Sequence, residues 1–574
     1  MLRPLVLLLC YPFLAAFAEP DWWKTSILYQ IYPRSYADSN GDGDGDLNGI
    51  RQHVEHLKSI GVGIVWLSPI YNSPWQDMGY DISDYKSVHP KFGTLEDAKA
   101  LIQKLHSEGI KIFMDLVPNH SSIEHPWFNA SRHGQEPERD YYVWKDPKDR
   151  KGDDIFPPNN WLSAFDGDSA WEYDEIRKQF YLHHFGKYQA DLNYSNPKLV
   201  EAMKDNMRFW LDLGVDGFRV DTPGFLAEHP DFPDEPWIEN CTSSLKYNCL
   251  EHIYTTNQPR TYEVLHQFQE MLEKEYNSDK YMILEVFAPW DQWKGYYGPL
   301  MAPFNFLLVN DLWKDTNAKK LQSIVSDYMT NIPKGIWPNW VLGNHDNTRV
   351  ATRMGVDAVD ATNMLILLLP GTSINYQGEE IGMEDGHVRK YEILDCCNRD
   401  PQRTPMQWTS GTNAGFSTGN KTWLPVNSNY WNINVETQSH DSKSHLSTYK
   451  RLAKLRKSLV HSTDLETATI GDSVFIFKRQ NEGKTYYVIV NLNNQDEYTV
   501  LSSSSLKNLP AKLIVYIPSD NAAYAAGDSL DTSSKITLRP RSGIVASKAS
   551  TSGAIASWVL AWSFPVFFIF GFYY

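Results

Sequence analysis

Basic charge is scarce in this 574-residue chain: 54 Lys and Arg stand against 70 Asp and Glu, a formal net charge of -16. No stripe of Lys or Arg reverses that balance locally, so nucleic acid is excluded as a partner because its phosphate backbone would be repelled. Low-complexity tracts are missing too, and 42% hydrophobic with 22% charged residues is the balance of a folded globular protein. Cysteine is sparse, with five in all. The cysteines form no metal-binding cluster and no HExxH pair occurs, which excludes the common zinc sites. Length is what the chain has in plenty. It exceeds what one hydrophobic core organises, so one large domain with smaller satellites is expected.

Long apolar runs are confined to the two ends. Met1-Leu2-Arg3, an apolar run from Leu5 to Phe17 and Ala16-Phe17-Ala18 make residues 1–18 a secretory signal peptide cut after Ala18. The run is too short for a retained membrane anchor and lacks a stop-transfer flank. Losing Cys10 with the signal leaves Cys241, Cys249, Cys396 and Cys397, an even number suited to an oxidising compartment. Cys241 and Cys249 are expected to close a small loop, whereas adjacent Cys396 and Cys397 either form a vicinal bridge or stay reduced. At the other end Ala554–Tyr574 is apolar, has no basic cluster behind it and follows the small-residue stretch Ala546–Gly553. Residues 547–574 therefore resemble a glycosylphosphatidylinositol-anchor signal, the alternative being a C-terminal membrane span. The mature chain is expected on the extracellular face of the plasma membrane, with glycans at Asn129, Asn240 and Asn420. The further sequons at Asn119 and Asn193 fall among the candidate site residues and are expected bare.

Between Ile27 and about residue 460, short β-rich apolar runs alternate with helical stretches, the pattern of βαβ units. Expected strands are Ile27–Tyr32, Ile64–Leu67, Lys111–Leu116, Gly217–Val220, Met282–Glu285, Trp340–Leu342 and Thr372–Tyr376. The fold class read from this is α/β, a (β/α)8 TIM barrel built from residues 19–120 and 191–462. Residues 121–190 show no clear helix-strand repeat and read as a subdomain inserted after strand 3. After a basic amphipathic helix, Tyr449–Arg456, the pattern changes to alternation in Ser473–Phe477 and Thr485–Val490, so residues 463–546 are expected to form a C-terminal antiparallel β-sandwich.

In such a barrel the chemistry sits at the carboxyl ends of the strands, where this sequence gathers its acidic residues. Asp221 ends Gly217-Phe218-Arg219-Val220-Asp221, and Arg219, two residues earlier on the same strand face, favours an ionised carboxylate. Glu285 ends the apolar run Tyr281–Leu284, where desolvation raises a carboxyl pKa. One ionised and one protonated carboxyl are what glycosidic-bond cleavage with retention requires, about 5–5.5 Å apart. Twenty Trp and 32 Tyr supply flat rings able to pack a core or to stack on sugar faces.

Five blocks occur in order: Asp115-Leu116-Val117-Pro118-Asn119-His120, Gln189-Ala190-Asp191-Leu192-Asn193, Gly217-Phe218-Arg219-Val220-Asp221, Glu285-Val286 and Asn344-His345-Asp346. From about Trp22 to the C-terminal sandwich the chain resembles glycoside hydrolase family 13, the α-amylase family, and within it the oligosaccharide-cleaving α-glucosidases, such as insect gut-surface maltases. The resemblance implies Asp221 as nucleophile, Glu285 as acid/base and Asp346 as a third carboxylate that grips sugar hydroxyls. It also implies a glucose pocket. There Tyr80 and Asp81 stack on and hydrogen-bond the sugar, His120 and His345 bind its hydroxyls, Arg219 orients Asp221, Arg403 clamps Asp346 and the sugar's far edge, and Phe185 adds a wall. Thr222, after the nucleophile, stands where relatives preferring α-1,4 links often carry Thr or Ala and those preferring α-1,6 links often carry Val. Maltose is thereby favoured over isomaltose. Ala190 where Pro is usual, and Pro223-Gly224, depart from the family pattern near the leaving-group side and leave sucrose and longer maltodextrins open.

Asp38-Ser39-Asn40-Gly41-Asp42-Gly43-Asp44-Gly45-Asp46 offers oxygen ligands at alternate positions with glycines between them. It is not an EF-hand, because the twelfth position is Gly49 where a Glu is required. It resembles the structural calcium loop of the family, with Asp38, Asn40, Asp42 and Asp46 as side-chain ligands and Asp44 through its carbonyl. Other uses of the same fold stand as alternatives: transporter-associated heavy subunits, a membrane-anchored receptor at which bacterial toxins dock, and a transglucosidase. The complete catalytic set favours hydrolysis of a small oligosaccharide.

Overall fold

Eight short strands pair in parallel throughout: β1 (Ile27–Ile31), β2 (Ile64–Leu67), β3 (Lys111–Leu116), β4 (Gly217–Val220), β5 (Tyr281–Leu284), β6 (Met301–Pro303), β7 (Asn339–Val341) and β8 (Thr372–Tyr376). The hydrogen-bonded order is β6-β5-β4-β3-β2-β1-β8-β7, so only the β6/β7 seam lacks a ladder. Two amides bridge it. Asn339 Nδ2 donates to the Pro303 carbonyl at 2.8 Å, and Asn305 Nδ2 donates to the Asn339 carbonyl at 3.1 Å. Every position of β1, β2, β4, β7 and β8 is buried, as strands covered on both faces must be. This computed structural model describes residues 22–548 apart from 166, 240, 242–245, 396, 460, 461 and 482. The signal peptide, the Asn240 sequon, Cys396 and the anchor signal beyond Lys548 lie outside the described residues; Ser547 and Lys548, expected to open that signal, are instead paired in the C-terminal sheet.

Seven of the eight strands fall within a residue of their expected bounds; β6 is the addition. The helices that cover the barrel start on strong local signals. Thr94 and Asp97 form a reciprocal capping box for Leu95–Ser107. Asn196 caps Pro197–Asp212, with proline at the first helical position, where its missing N–H costs nothing. That helix buries Leu199, Val200, Met203, Met207, Trp210 and Leu211, one apolar stripe at three- and four-residue spacing.

Between β3 and β4 lies the inserted subdomain: a helix, Pro126–Arg132, and an antiparallel sheet of Trp144–Lys145, Trp171–Asp174 and Gln179–Leu182. It has its own small core around Val143, Trp161, Trp171 and Phe180. The pair His120–Ser122 with Gln189–Asp191 fastens both ends of the insertion to the barrel mouth. The C-terminal unit is a six-stranded antiparallel sheet facing the pair Glu497–Val500 and Lys535–Leu538. Cys241 and Cys249 form a disulfide in the loop after β4, as the spacing implies. Asn129 and Asn420 are exposed, Asn119 is buried and Asn193 is half-buried. No helix among the described residues is long and apolar enough to cross a membrane.

Candidate active site

Arg219 organises the carboxyl ends of β3, β4 and β5. It is buried on the third position of β4, and its Nη1 lies 2.7 Å from Asp115 and 2.6 Å from Asp221, while its Nη2 lies 2.6 Å from Glu285. One guanidinium therefore holds three carboxylates, one 104 residues before it, one 66 residues after it and one at its own strand end. Asp115, part of the first block but given no role there, also accepts from the Trp66 indole and the Tyr80 hydroxyl, each at 3.2 Å.

The protonation states follow from burial set against that cation. Burial is the larger effect at Asp221 and moves its carboxyl up to about 6, although Arg219 pulls the other way. Arg219 favours the ionised carboxylate, as expected, but burial outweighs it. At Glu285 burial again leads, Asp221 and Asp346 add to it, and the group rises to about 8. The order expected from sequence, Asp221 more acidic than Glu285, is thus reproduced by a different balance of causes. At Asp346 burial opposes ionisation, yet His345, Arg399 and Arg403 hold the carboxyl well below the usual range.

Thr222 reaches both central carboxylates. Its N–H donates to Glu285 Oε2 at 3.3 Å and its hydroxyl to Asp221 Oδ2 at 3.2 Å. It does so at φ 37°, the left-handed region that a β-branched side chain enters only under strain.

These groups open into a cavity of about 310 Å³ lined by Tyr80, His120, Phe185, Asp221, Thr222, Glu285, His345 and Asp346. Asp77, Arg399, Phe165, Phe287, Phe306, Asn310, Asn344 and Asn347 complete the lining. His345 is stacked on Tyr80, 5.6 Å between centroids. Its Nδ1 accepts from Gln30 Nε2 at 2.7 Å, so the ring hydrogen sits on Nε2, 2.8 Å from the Tyr80 hydroxyl. Burial lowers the pKa of His345 to about 3 and that of His120 to about 4, so both rings are neutral near pH 7.

Two assignments to the pocket are corrected. Asp81 does not reach the cavity: it is fully buried and binds Ser73 Oγ at 2.8 Å and the N–H groups of Gln76 and Asp77 at 2.9 and 3.0 Å. Met78 and Gly79, with φ of 49° and 105°, turn the chain so that Asp77 lines the cavity instead. Arg403 clamps Asp346 at 2.8 Å as expected but sits entirely behind it. The cation at the cavity surface is Arg399, 3.1 Å from Asp346 and 2.9 Å from Asp77.

Two places bear on metal binding. In the Asp38–Asp46 loop the side chains of Asp38, Asn40 and Asp42 each accept the N–H two residues on, at 3.0, 2.9 and 2.9 Å. Gly41 and Gly43 take the positive φ values that curl the loop, 80° and 97°. Oxygen donors on a curled backbone fit a hard cation. The Asp44 carboxylate is held by Arg34 and Lys91. Behind the Phe185 wall, His184, Asp191 and Glu228 bring one ligand atom each within 4.8 Å of one another. This triad was not singled out from sequence, since its members lie in three separate segments.

Comparison with known proteins agrees with this geometry. The family description "Alpha amylase, catalytic domain" matches residues 30–463. The chain is 40% identical to Maltase 1 of Drosophila virilis over 551 residues, covering 92% of this chain and 86% of that protein. It is 40% identical to an alpha-glucosidase of Culex pipiens over 578 residues, covering 97% of each. Among solved structures, the alpha-glucosyl transfer enzyme XgtA superposes with a TM-score of 0.80 at 31% identity, covering 92% of this chain and 99% of that one. With a domain match across the whole barrel and relatives alike over nearly their full lengths, the chain belongs to the α-amylase family of glycoside hydrolases.

Proposed function

We propose that this chain is a retaining α-glucosidase of the maltase kind, releasing terminal α-1,4-linked glucose from maltose, sucrose or short maltodextrins. The observation that carries the reading is the pair Asp221 and Glu285, held on the two arms of Arg219 and facing one cavity. In the first step an Asp221 carboxylate oxygen bonds to the anomeric carbon as the glycosidic bond breaks, and the Glu285 proton goes to the departing oxygen. In the second step Glu285 takes a proton from water, whose oxygen displaces Asp221 and restores both carboxyls. Asp346, kept anionic by Arg399 and Arg403, is placed to accept from ring hydroxyls. The neutral His345 is held by its Nε2–H to the Tyr80 hydroxyl on the wall of the same space.

The pH dependence of kcat/KM on maltose tests the protonation states. Activity is expected to rise with pH as Asp221 ionises near about 6, and to fall as Glu285 loses its proton near about 8. A Glu285→Gln variant assayed with an aryl glucoside, whose leaving group needs no proton, is expected to keep the acid limb and lose the alkaline one. An unchanged alkaline limb in that variant would refute the assignment of Glu285.

Calcium is proposed for the Asp38–Asp46 loop through Asp38, Asn40, Asp42 and Asp46, as a staple and not as a participant in chemistry. Chelation is expected to lower the unfolding midpoint by a few degrees and added Ca²⁺ to restore it, an effect on the scale of a linked ligand held well above its Kd. Asp38→Asn should abolish the difference; equal midpoints with and without chelator in the unaltered protein would remove calcium from this loop. A lipid anchor at the C-terminus and an extracellular setting complete the proposal, and phospholipase release from intact cells checks both. Toxin docking has no identified surface on the chain.

A further inference from the structure

Three side chains that the reaction does not use meet where the inserted subdomain rejoins the barrel. His184 lies between the strand Gln179–Leu182 and the fastening strand Gln189–Asp191, which ends on Asp191, and Glu228 comes from the loop after β4. One nitrogen or carboxylate oxygen from each lies within 4.8 Å of the other two. His184 and Asp191 are each 1% exposed.

Two of the three are short of partners. Asp191 accepts from the His184 backbone N–H at 3.1 Å and from Asn119 Nδ2 at 3.3 Å, and its second oxygen faces His184 Nδ1 in a short hydrogen bond. With the proton on Nδ1, the ring carries a lone pair on Nε2, a buried nitrogen that has no hydrogen-bond partner among the described residues. Glu228 Oε1 is buried and unpartnered as well. Buried polar atoms are paired as a rule, so two orphans on residues that converge point to a body that joins them.

An imidazole lone pair and a carboxylate are the donor set of a borderline cation such as zinc. Bonds of about 2.0–2.2 Å around a tetrahedral zinc hold ligand atoms roughly 3.4 Å apart, a separation that small side-chain rotations reach from here. A carboxylate on the other ring nitrogen is the usual orienter of a zinc-bound histidine, and Asp191 stands there. Calcium suits the place poorly, because it takes about six to eight oxygens.

We propose that zinc, or another borderline divalent cation, binds between His184 Nε2 and Glu228, with Asp191 orienting the ring and water completing the shell. The ligands come from separate segments, so none of the spaced zinc motifs announces them. The ion ties the insertion to the β4 loop behind the cavity wall. There Phe185 and Phe225 pack at 5.3 Å, and the His184 ring lies 5.2 Å from Phe225. Its effect is on the rigidity and stability of that wall, and it takes no part in bond cleavage.

The test titrates zinc alone into the full protein by calorimetry, with calcium at saturation so that the Asp38–Asp46 loop does not contribute. One equivalent is expected to bind, to be removed by a chelator, and to raise the unfolding midpoint by a few degrees. His184→Gln and Glu228→Gln should each weaken binding by about 10-fold or more, at least the loss that removing an outer-shell partner brings. Should either variant not fold, anomalous scattering from zinc-soaked crystals of the parent locates the ion, and density on His184 Nε2 is the expected result. No binding to the parent, binding kept in a folded variant, calcium competing on equal terms, or a water molecule at this point in the soaked crystals would each overturn the site. Maltose turnover decides none of these outcomes, so the maltase reading stands or falls separately.

Discussion

Asp221→Asn is expected to lower kcat on maltose by about 10⁴-fold or more, because the amide keeps the shape of the carboxylate and cannot form the glucosyl ester. The fold should survive. The substitution removes one of three buried carboxyls around Arg219 and leaves that cation with Asp115 and Glu285 as partners. Asp221 is also one of the charges that raise Glu285, after burial. Any residual turnover should therefore lose its proton donor at lower pH than the parent enzyme does. Rates measured from pH 4 to 9, beside thermal unfolding to show an intact protein, separate this outcome from a structural defect. A well-folded variant with near-parental kcat would end the nucleophile assignment.

Arg219→Leu is expected to have the largest effect on stability. Breaking a buried ion pair by removing one partner costs about 3–5 kcal/mol, since the remaining charge stays buried and uncompensated. Here three carboxylates lose the same partner. The sign of the pH dependence follows from linkage. Asp115, Asp221 and Glu285 already stand near about 7, 6 and 8 with the cation present, all above their unfolded values. Without it they rise further, and the folded state binds protons that the unfolded state releases. Stability is then fully present below the unfolded carboxylate range and is lost as pH climbs toward the folded values. Urea unfolding should show a deficit at pH 7.5 that shrinks markedly at pH 5, and Asp115→Asn in the same molecule should recover part of it. Arg219→Lys should not rescue, because a single ammonium cannot reach three carboxylates on two arms of a planar fork. Equal deficits at the two pH values would show that Arg219 matters through packing and not through charge.

The contrast between these residues and the ones corrected above shows what a sequence can convey. Seven barrel strands were legible as short β-rich runs alternating with helical stretches, even though Gln30, Arg219, Ser373 and Asn375 interrupt the apolar pattern of β1, β4 and β8. β6 was not, since Met301-Ala302-Pro303 is three residues long and ends in a proline that argues against a strand. Asp221, Glu285 and Asp346 were legible because each falls in an ordered block. Asp77 and Arg399 were missed for a common geometric reason. Asp77 and Asp81 are four apart on one turn, and Arg399 and Arg403 are four apart around a 3₁₀ turn. In each pair one member faces the cavity and the other lies behind it. Backbone dihedrals at Met78 and Gly79 decide the first pair, and no residue type announces a left-handed Met78. Phe287 and Phe306 were missed because an aromatic outside any block reads as core.

The placement of the final strand constrains how the polypeptide acquires its form during synthesis. Gly543–Lys548 lies in the interior of the C-terminal sheet, paired on one side with Lys484–Asn491 and on the other with Lys512–Pro518. Both neighbours are translated before it and wait with unsatisfied edges until it arrives. The sheet is thus completed only once Gly543–Lys548 has been made, whereas every barrel strand has emerged by Tyr376. Vectorial synthesis therefore lets the barrel strands pair first, and Gly543–Lys548 locks a unit whose two halves cannot join without it.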